Sequence, residues 1–239
     1  MSSAPNFRDR ITAGEQLAQP ILAEIKQLHA QGLSVQPIVY ALPRGGIPVA
    51  VPVARCLGCP VDIVVAKKIT RPENPELAIG AVTSDGHVIW YQPKRSRKDP
   101  ENNQLRERAL HQAQEKAVAL YSQLSPSCLP VSPRGAIAIL IDDGIATGMT
   151  MAAAAYALKA QEPAAVWICS PVAPIGLSDW LLSWSDRVII LQTPDPFLSV
   201  SRFYEEFPQV ETEEALADLQ QHNQQIFPRT PPPDAPLSR

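Results

Sequence analysis

At 239 residues, with 45% hydrophobic and 19% charged positions, the chain has the composition of an ordinary globule large enough to bury one substantial core. A net charge of -3 excludes a global electrostatic footprint for nucleic acid or an anionic membrane, so any anion site must be assembled from local groups. The opening run MSSAPNFR holds no signal-like apolar stretch and no uncharged run is long enough to cross a bilayer, so the expectation is a cytoplasmic protein with a small-molecule partner. Cys56 and Cys59 are the only closely spaced cysteines, and without matching ligands elsewhere they read as packing at a helix end.

Residues 12–15, TAGE, form a capping box, and Leu17, Ala18, Ile21, Leu22, Ile25 and Leu28 recur at helical spacing beyond it, with Pro20 kinking the helix or delaying its start. The preceding FRDR, residues 7–10, reads as a surface ion-pair cluster. Residues 37–42, PIVYAL, are a strand that runs into Pro43, Arg44, Gly45 and Gly46, after which 47–57 keep a helical apolar pattern despite Pro48 and Pro52. A strand that turns tightly into a helix points free amides and the positive end of the helix dipole at one place, which attracts an anion. An R-G-G turn by itself is commonly only a turn.

Residues 60–66 form the next strand, ending in Lys67 and Lys68, which suit a solvated rim and a diphosphate contact equally well. The polar, proline-rich 71–80 segment is a connecting loop, and 79–83 with 87–91 make a hairpin over the S-D-G turn. Lys94, Arg95, Arg97 and Lys98 then crowd into an otherwise unpatterned stretch, which taken alone is a solvated loop. Asp99, Pro100 and Glu101 start a long helix whose face is Leu105, Ala109, Ala113, Ala117, Tyr121 and Leu124.

The most informative stretch is residues 135–150, GAIAILIDDGIATGMT. Its continuous apolar run is a strand buried on both faces, Asp142 and Asp143 end it, and Gly144, Ile145, Ala146, Thr147, Gly148, Met149 and Thr150 form a small-residue loop into an alanine-rich helix over 151–160. The loop suits a phosphate. Two carboxylates beside it would repel that phosphate unless they serve sugar hydroxyls or a hydrated magnesium ion, so the ligand that satisfies both halves is a sugar phosphate. A Walker loop is excluded, since Gly144 and Gly148 enclose only Ile145, Ala146 and Thr147, and Met149 stands where the lysine belongs.

The alternation continues with a strand over 164–169, a helix over 175–185 that buries Trp180 and Trp184, and a strand over 187–191. Phe203, Tyr204 and Phe207 cluster after it, 212–225 are a last helix, and the proline-rich 228–239 form an extended tail. No internal repeat is evident.

The order strand, two acids, small loop ending in T-G-x-T resembles the 5-phosphoribosyl-1-pyrophosphate (PRPP) motif of the type I phosphoribosyltransferases. L-P-R-G-G and the segment from Lys67 to Ala81 resemble a branch of that family whose members mostly lack an assigned substrate. The resemblance implies an α/β fold with a largely parallel central sheet flanked by helices, one domain over 1–227, and a small hood from segments near 1–12 and 193–210. It implies a homodimer that transfers the phosphoribosyl group of PRPP to a nitrogenous base, with Mg2+ bound through PRPP and, by water, to Asp142 and Asp143. In that reading Asp142, Asp143, Lys67 and Lys68 are catalytic, residues 144–150 hold the 5′-phosphate, and Arg44, Gly45 and Gly46 hold pyrophosphate. Lys94, Arg95, Arg97 and Lys98 would form a closing lid, and Phe197 would stack the base. Ala146 departs from the 6-oxopurine enzymes, which carry an acid there, and so argues against hypoxanthine or guanine as acceptor. A PRPP- or nucleotide-sensing regulator on the same fold is the alternative.

Overall fold

The computed structural model of the protein describes residues 6–71, 74–91 and 100–226. The chain runs α1 (Arg10–Ala30), β1 (Pro37–Ala41), α2 (Ile47–Leu57), β2 (Val61–Ile63), β3 (Ala66–Arg71), β4 (Asn74–Thr83) and β5 (Val88–Trp90). It continues with α3 (Pro100–Leu124), β6 (Ile137–Ile141), α4 (Met149–Lys159), β7 (Ala165–Val172), α5 (Leu177–Leu182), β8 (Arg187–Gln192) and α6 (Thr212–Ile226).

Five strands pair in parallel in the order β2-β1-β6-β7-β8. Every residue of β6 is buried, which its uninterrupted apolar sequence requires, since a strand covered on both faces has no wet side to fill with polar residues. Full burial of each such aliphatic side chain contributes about 1.5–3 kcal/mol. One face packs Leu17, Ile21, Val49 and Val53 from α1 and α2 against Val39, Ile139 and Ile141. The other packs Met151, Ala155 and Leu158 of α4 against Ile38, Ala138 and Leu140. The expected α/β architecture is what the chain adopts.

A second sheet, β3-β4-β5, is antiparallel. Ile69 and Val82 pack on Ala109 and Ala113 of α3, while Ala81 and Ile89 pack on Ala152 and Ala153 of α4, so the sheet lies between the two helices. Here the structure corrects three expectations. Residues 60–66 do not make one strand: β2 ends at Ile63 and the chain crosses into the second sheet. Lys67 and Lys68 consequently sit inside β3, opposite Val82 and Ala81, and not at an end of the parallel sheet. The 71–80 segment is not a free loop, because β4 begins at Asn74.

The N-terminus brings a fourth correction. Asp9, not Thr12, caps α1, its Oδ1 accepting the Thr12 amide at 2.7 Å, so the helix starts three residues earlier than the capping box suggested, with Pro20 inside it. Phe7 is buried and bridges Tyr204, and Arg10 is buried as well; the surface ion-pair reading of 7–10 fails for both. Trp180 and Trp184 are only half-buried, and α5 is shorter than expected. Cys59 is buried at the end of α2 and no cysteine among the described residues is paired. No helix among these residues is long and apolar enough to cross a membrane.

Candidate active site

In the parallel sheet β1 continues to β2 on one side, while β6 is followed by β7 and β8 on the other. The strand order therefore reverses between β1 and β6, and in open α/β sheets the crevice beyond the carboxyl ends at such a point is where ligands bind. Both loops singled out in the sequence leave from that point. The 43–46 turn follows β1, and the 142–150 loop follows β6.

Each loop opens a helix whose first amides have no side-chain cap: Gly46 and Gly148 stand at the N-cap positions of α2 and α4, and neither helix has a capping side chain. The loop ahead of α4 borders a cavity of about 230 Å³ lined by Asp142, residues 144–148, Thr150, Met151, Val200 and Lys68. Uncapped amides, a helix dipole and a lysine around one hollow constitute an anion cradle. Gly148 has φ +75°, and a Cβ there would lie 2.5 Å from the Trp180 ring, so both backbone angle and packing require glycine.

Glycines also let the two loops meet. A Cβ on Gly45 would collide with the Asp143 carboxylate, and one on Gly46 would come within 2.6 Å of the Leu42 carbonyl oxygen and 2.7 Å of the Ile141 carbonyl oxygen. The Pro43–Arg44 peptide bond is cis. The Arg44 guanidinium does not face the 142–150 loop: Nη1 donates to the Thr212 hydroxyl at 3.0 Å and lies 3.7 Å from Glu211, at the start of α6.

The two acids have different surroundings. Asp142 lines the cavity, and its Oδ1 accepts the Asp143 amide at 2.9 Å. Burial first, and then the neighbouring charge of Asp143, push its carboxyl well above the usual carboxylate range. Asp143 is turned away and engaged. Its Oδ2 accepts Nε of Arg10 at 2.8 Å, with the side chains only 14% and 9% exposed. Burial pushes the Asp143 carboxyl up and the Arg10 charge opposes it.

Arg10 is fixed on three sides. Besides Asp143, its Nη1 donates to the Pro208 carbonyl at 2.7 Å, and its guanidinium lies 3.7 Å from the centre of the Phe207 ring. Tyr204 donates its hydroxyl to the Asp143 carbonyl oxygen. The amide of Phe7 and that of Glu205 complete the join, donating to Phe203 and Phe7 carbonyls respectively. Segments from both ends of the chain thus converge on Asp143.

Of the remaining expected residues, Lys68 borders the cavity on the solvent side, and Lys67 is half-buried beside Asp142 and Arg44. Desolvation holds the Lys67 ammonium below its usual range, Arg44 adds to that, and Asp142 works against it. Phe197 stacks on Phe203, ring centres 5.7 Å apart, within the aromatic cluster, while Val200 reaches the cavity instead. Lys94, Arg95, Arg97 and Lys98 lie outside the described residues. Sequence reasoning missed Arg10, Val200 and Tyr204; the charge at Arg10 was visible, but its partner is 133 positions away.

Residues 8–179 match the family model described as the phosphoribosyl transferase domain. The crystal structure of TT1426 from Thermus thermophilus superposes with a TM-score of 0.71 at 32% identity, covering 90% of this chain and 98% of that one. A Mycobacterium tuberculosis protein, Rv0571c, provisionally named a phosphoribosyl transferase, is 34% identical over 216 residues, which are 89% of this chain and 46% of that protein. The chain belongs to the phosphoribosyl transferase domain family, and it spans about half the length of the curated relatives it matches.

Proposed function

We propose that the protein binds PRPP and transfers its phosphoribosyl group to a ring nitrogen of a base, releasing pyrophosphate. The observation that carries this reading is the uncapped start of α4 around a hollow bordered by Asp142 and Lys68. The amides of 144–150 suit the 5′-phosphate, and Asp142 is placed to accept hydrogen bonds from ribose hydroxyls. In the reaction the bond from C1 to the diphosphate oxygen breaks as the bond to the base nitrogen forms, and the base gives up that nitrogen's proton. Charge accumulates on the departing diphosphate, so preorganised cations near it lower the barrier. Lys67 and Lys68 are the cations this site offers, and Gly45 and Gly46 let a diphosphate approach the backbone.

Magnesium bound with PRPP would neutralise part of the diphosphate charge. The donor set would hold it chiefly through Asp142, which lines the cavity, since Asp143 does not line it and gives Oδ2 to Arg10. Ala146 leaves no acid for a 6-oxopurine ring, so adenine or uracil is a better expectation than hypoxanthine or guanine.

Titration of PRPP in magnesium, followed by calorimetry, tests the assignment: Asp142→Asn should abolish measurable binding, and unchanged affinity would sink it. Pyrophosphate release across a panel of bases then tests catalysis. Asp143 is paired with Arg10 and Asp142 is the one acid among the described residues lining the cavity, and this favours a second reading, a PRPP sensor without turnover. Binding with no release on any base would select the sensor.

A further inference from the structure

A second and larger cavity, about 530 Å³, lies away from the 142–150 loop, under α3 and α4 at the β2 edge of the parallel sheet. Tyr40 and Asp62 are register partners on β1 and β2, so their side chains share the face that floors it. Val118 and Tyr121 of α3, Ala157 of α4 and Gln161 just beyond it form its sides.

The polar groups of this floor are incompletely satisfied. The Tyr40 hydroxyl is buried without a hydrogen-bond partner, in a residue only 3% exposed. Asp62 is half-buried, one oxygen accepts the Ile63 amide, and the Cys128 thiol stands beside it. No salt bridge among the described residues involves Asp62, and no lysine, arginine or histidine among them lines the cavity. Asp85, at the rim, accepts the Thr83 hydroxyl and has Nδ1 of His87 3.1 Å away. A carboxylate drawn out of water without a counter-charge is costly, and burial does push the Asp62 carboxyl upward. Asp62 and the Tyr40 hydroxyl can each accept a hydrogen bond, and no cation among the described residues lines the hollow, so a donor that carries positive charge would satisfy both.

A metal ion is a poor match. Among the described residues no cluster of three or more His, Cys, Asp or Glu side chains could hold one, and the hollow has the size of a small-molecule pocket. We propose that this cavity is a second binding site, for a compact organic cation whose amidinium or ammonium group pairs with Asp62 and donates to the Tyr40 oxygen, while its flat apolar body lies against Tyr121 and Val131. The Tyr121 ring and the apolar wall favour a planar body over a branched one. The proposal does not depend on the reading of the 142–150 loop.

Benzamidine is a suitable probe, with benzyl alcohol as its uncharged counterpart. Calorimetry on the full chain should show saturable, single-site binding of benzamidine, at least tenfold weaker binding to Asp62→Asn, and weaker binding to Tyr40→Phe. Benzyl alcohol should bind at least tenfold more weakly than benzamidine. No binding, equal affinity in Asp62→Asn, or equal affinity for benzyl alcohol would overturn the proposal. A benzamidine-soaked crystal needs no variant: density with the amidinium against Asp62 supports the site, and density absent from this cavity refutes it.

Discussion

The loop after β6 and the cover over Asp143 stand side by side, yet they are built in opposite ways. The loop is local: nine consecutive residues, 142–150, carry the turn, the uncapped amides and the acid that faces the hollow. The cover is assembled from the two ends of the chain, with Arg10 on one segment and Tyr204, Phe207 and Pro208 on the other. The loop is specified by what backbone geometry permits, so its failures should be steric and severe. The cover is specified by one ion pair and its neighbours, so its failures should be graded and open to rescue.

Gly46→Ala should give the largest effect. Its Cβ would meet two backbone carbonyl oxygens, at 2.6 Å and 2.7 Å, and the Leu42 oxygen is tied by the Gly46 amide itself, so neither can withdraw cheaply. A loss of about 3 kcal/mol or more is expected in urea unfolding, or failure to fold. A variant of near-normal stability would show that the switch-point loops are softer than the comparison requires.

Arg10→Met comes next. It strands the Asp143 carboxylate in a mostly buried position, and removing one partner of such a pair typically costs several kcal/mol; partial exposure and proton uptake by Asp143 bring the expectation to about 2 kcal/mol. Arg10→Met with Asp143→Asn should recover at least half of that, because the stranded charge is gone. If the double variant is no more stable than Arg10→Met, the cover is held by apolar contacts around Phe207 and not by the ion pair.

These two effects divide what could be read from the chain. The β6 strand, both acids, the glycines and the α4 start were legible because each depends on neighbours a few residues away: an apolar run, a charge that ends it, a residue type that fits the turn. Arg10 was legible only as a charge near the terminus. Its burial depends on Phe207 and Asp143, and no spacing rule links positions so far apart. The antiparallel sheet was half legible: the 79–91 hairpin announced itself, but β3 did not, because 60–71 has no turn signal where it leaves one sheet for another. The lysines were found, while their strand was misplaced.

Asp142→Asn should separate function from stability. Burial raises the Asp142 carboxyl in the folded state, so the folded protein holds that proton more tightly than the unfolded chain does. Wild-type stability therefore falls as pH rises from the unfolded value through the folded one, and the penalty is complete above both. Asparagine carries no such penalty. The variant should be more stable than wild type by about 1 kcal/mol above the folded value, and the gain should vanish as pH drops below the ordinary carboxylate range. Equal stability of the two proteins at every pH would mean that Asp142 is as well solvated as a surface acid.

Arg44 offers the smallest stability effect and the finest test of the comparison. It belongs to the loop by sequence, but its guanidinium is spent on Thr212 and Glu211, so in this conformation it behaves as part of α6. Glu211 is mostly exposed, and an ion pair of that kind is worth about 0.5 kcal/mol or less. Glu211→Gln should therefore leave stability within about 0.5 kcal/mol of wild type. Binding is where the two roles part: if Arg44 leaves α6 to meet a diphosphate, releasing it from Glu211 should tighten PRPP by about two- to threefold, while Arg44→Ala should weaken it about tenfold or more. Unchanged affinity in both variants would assign Arg44 to the scaffold and leave the diphosphate to Lys67, Lys68 and the glycine amides.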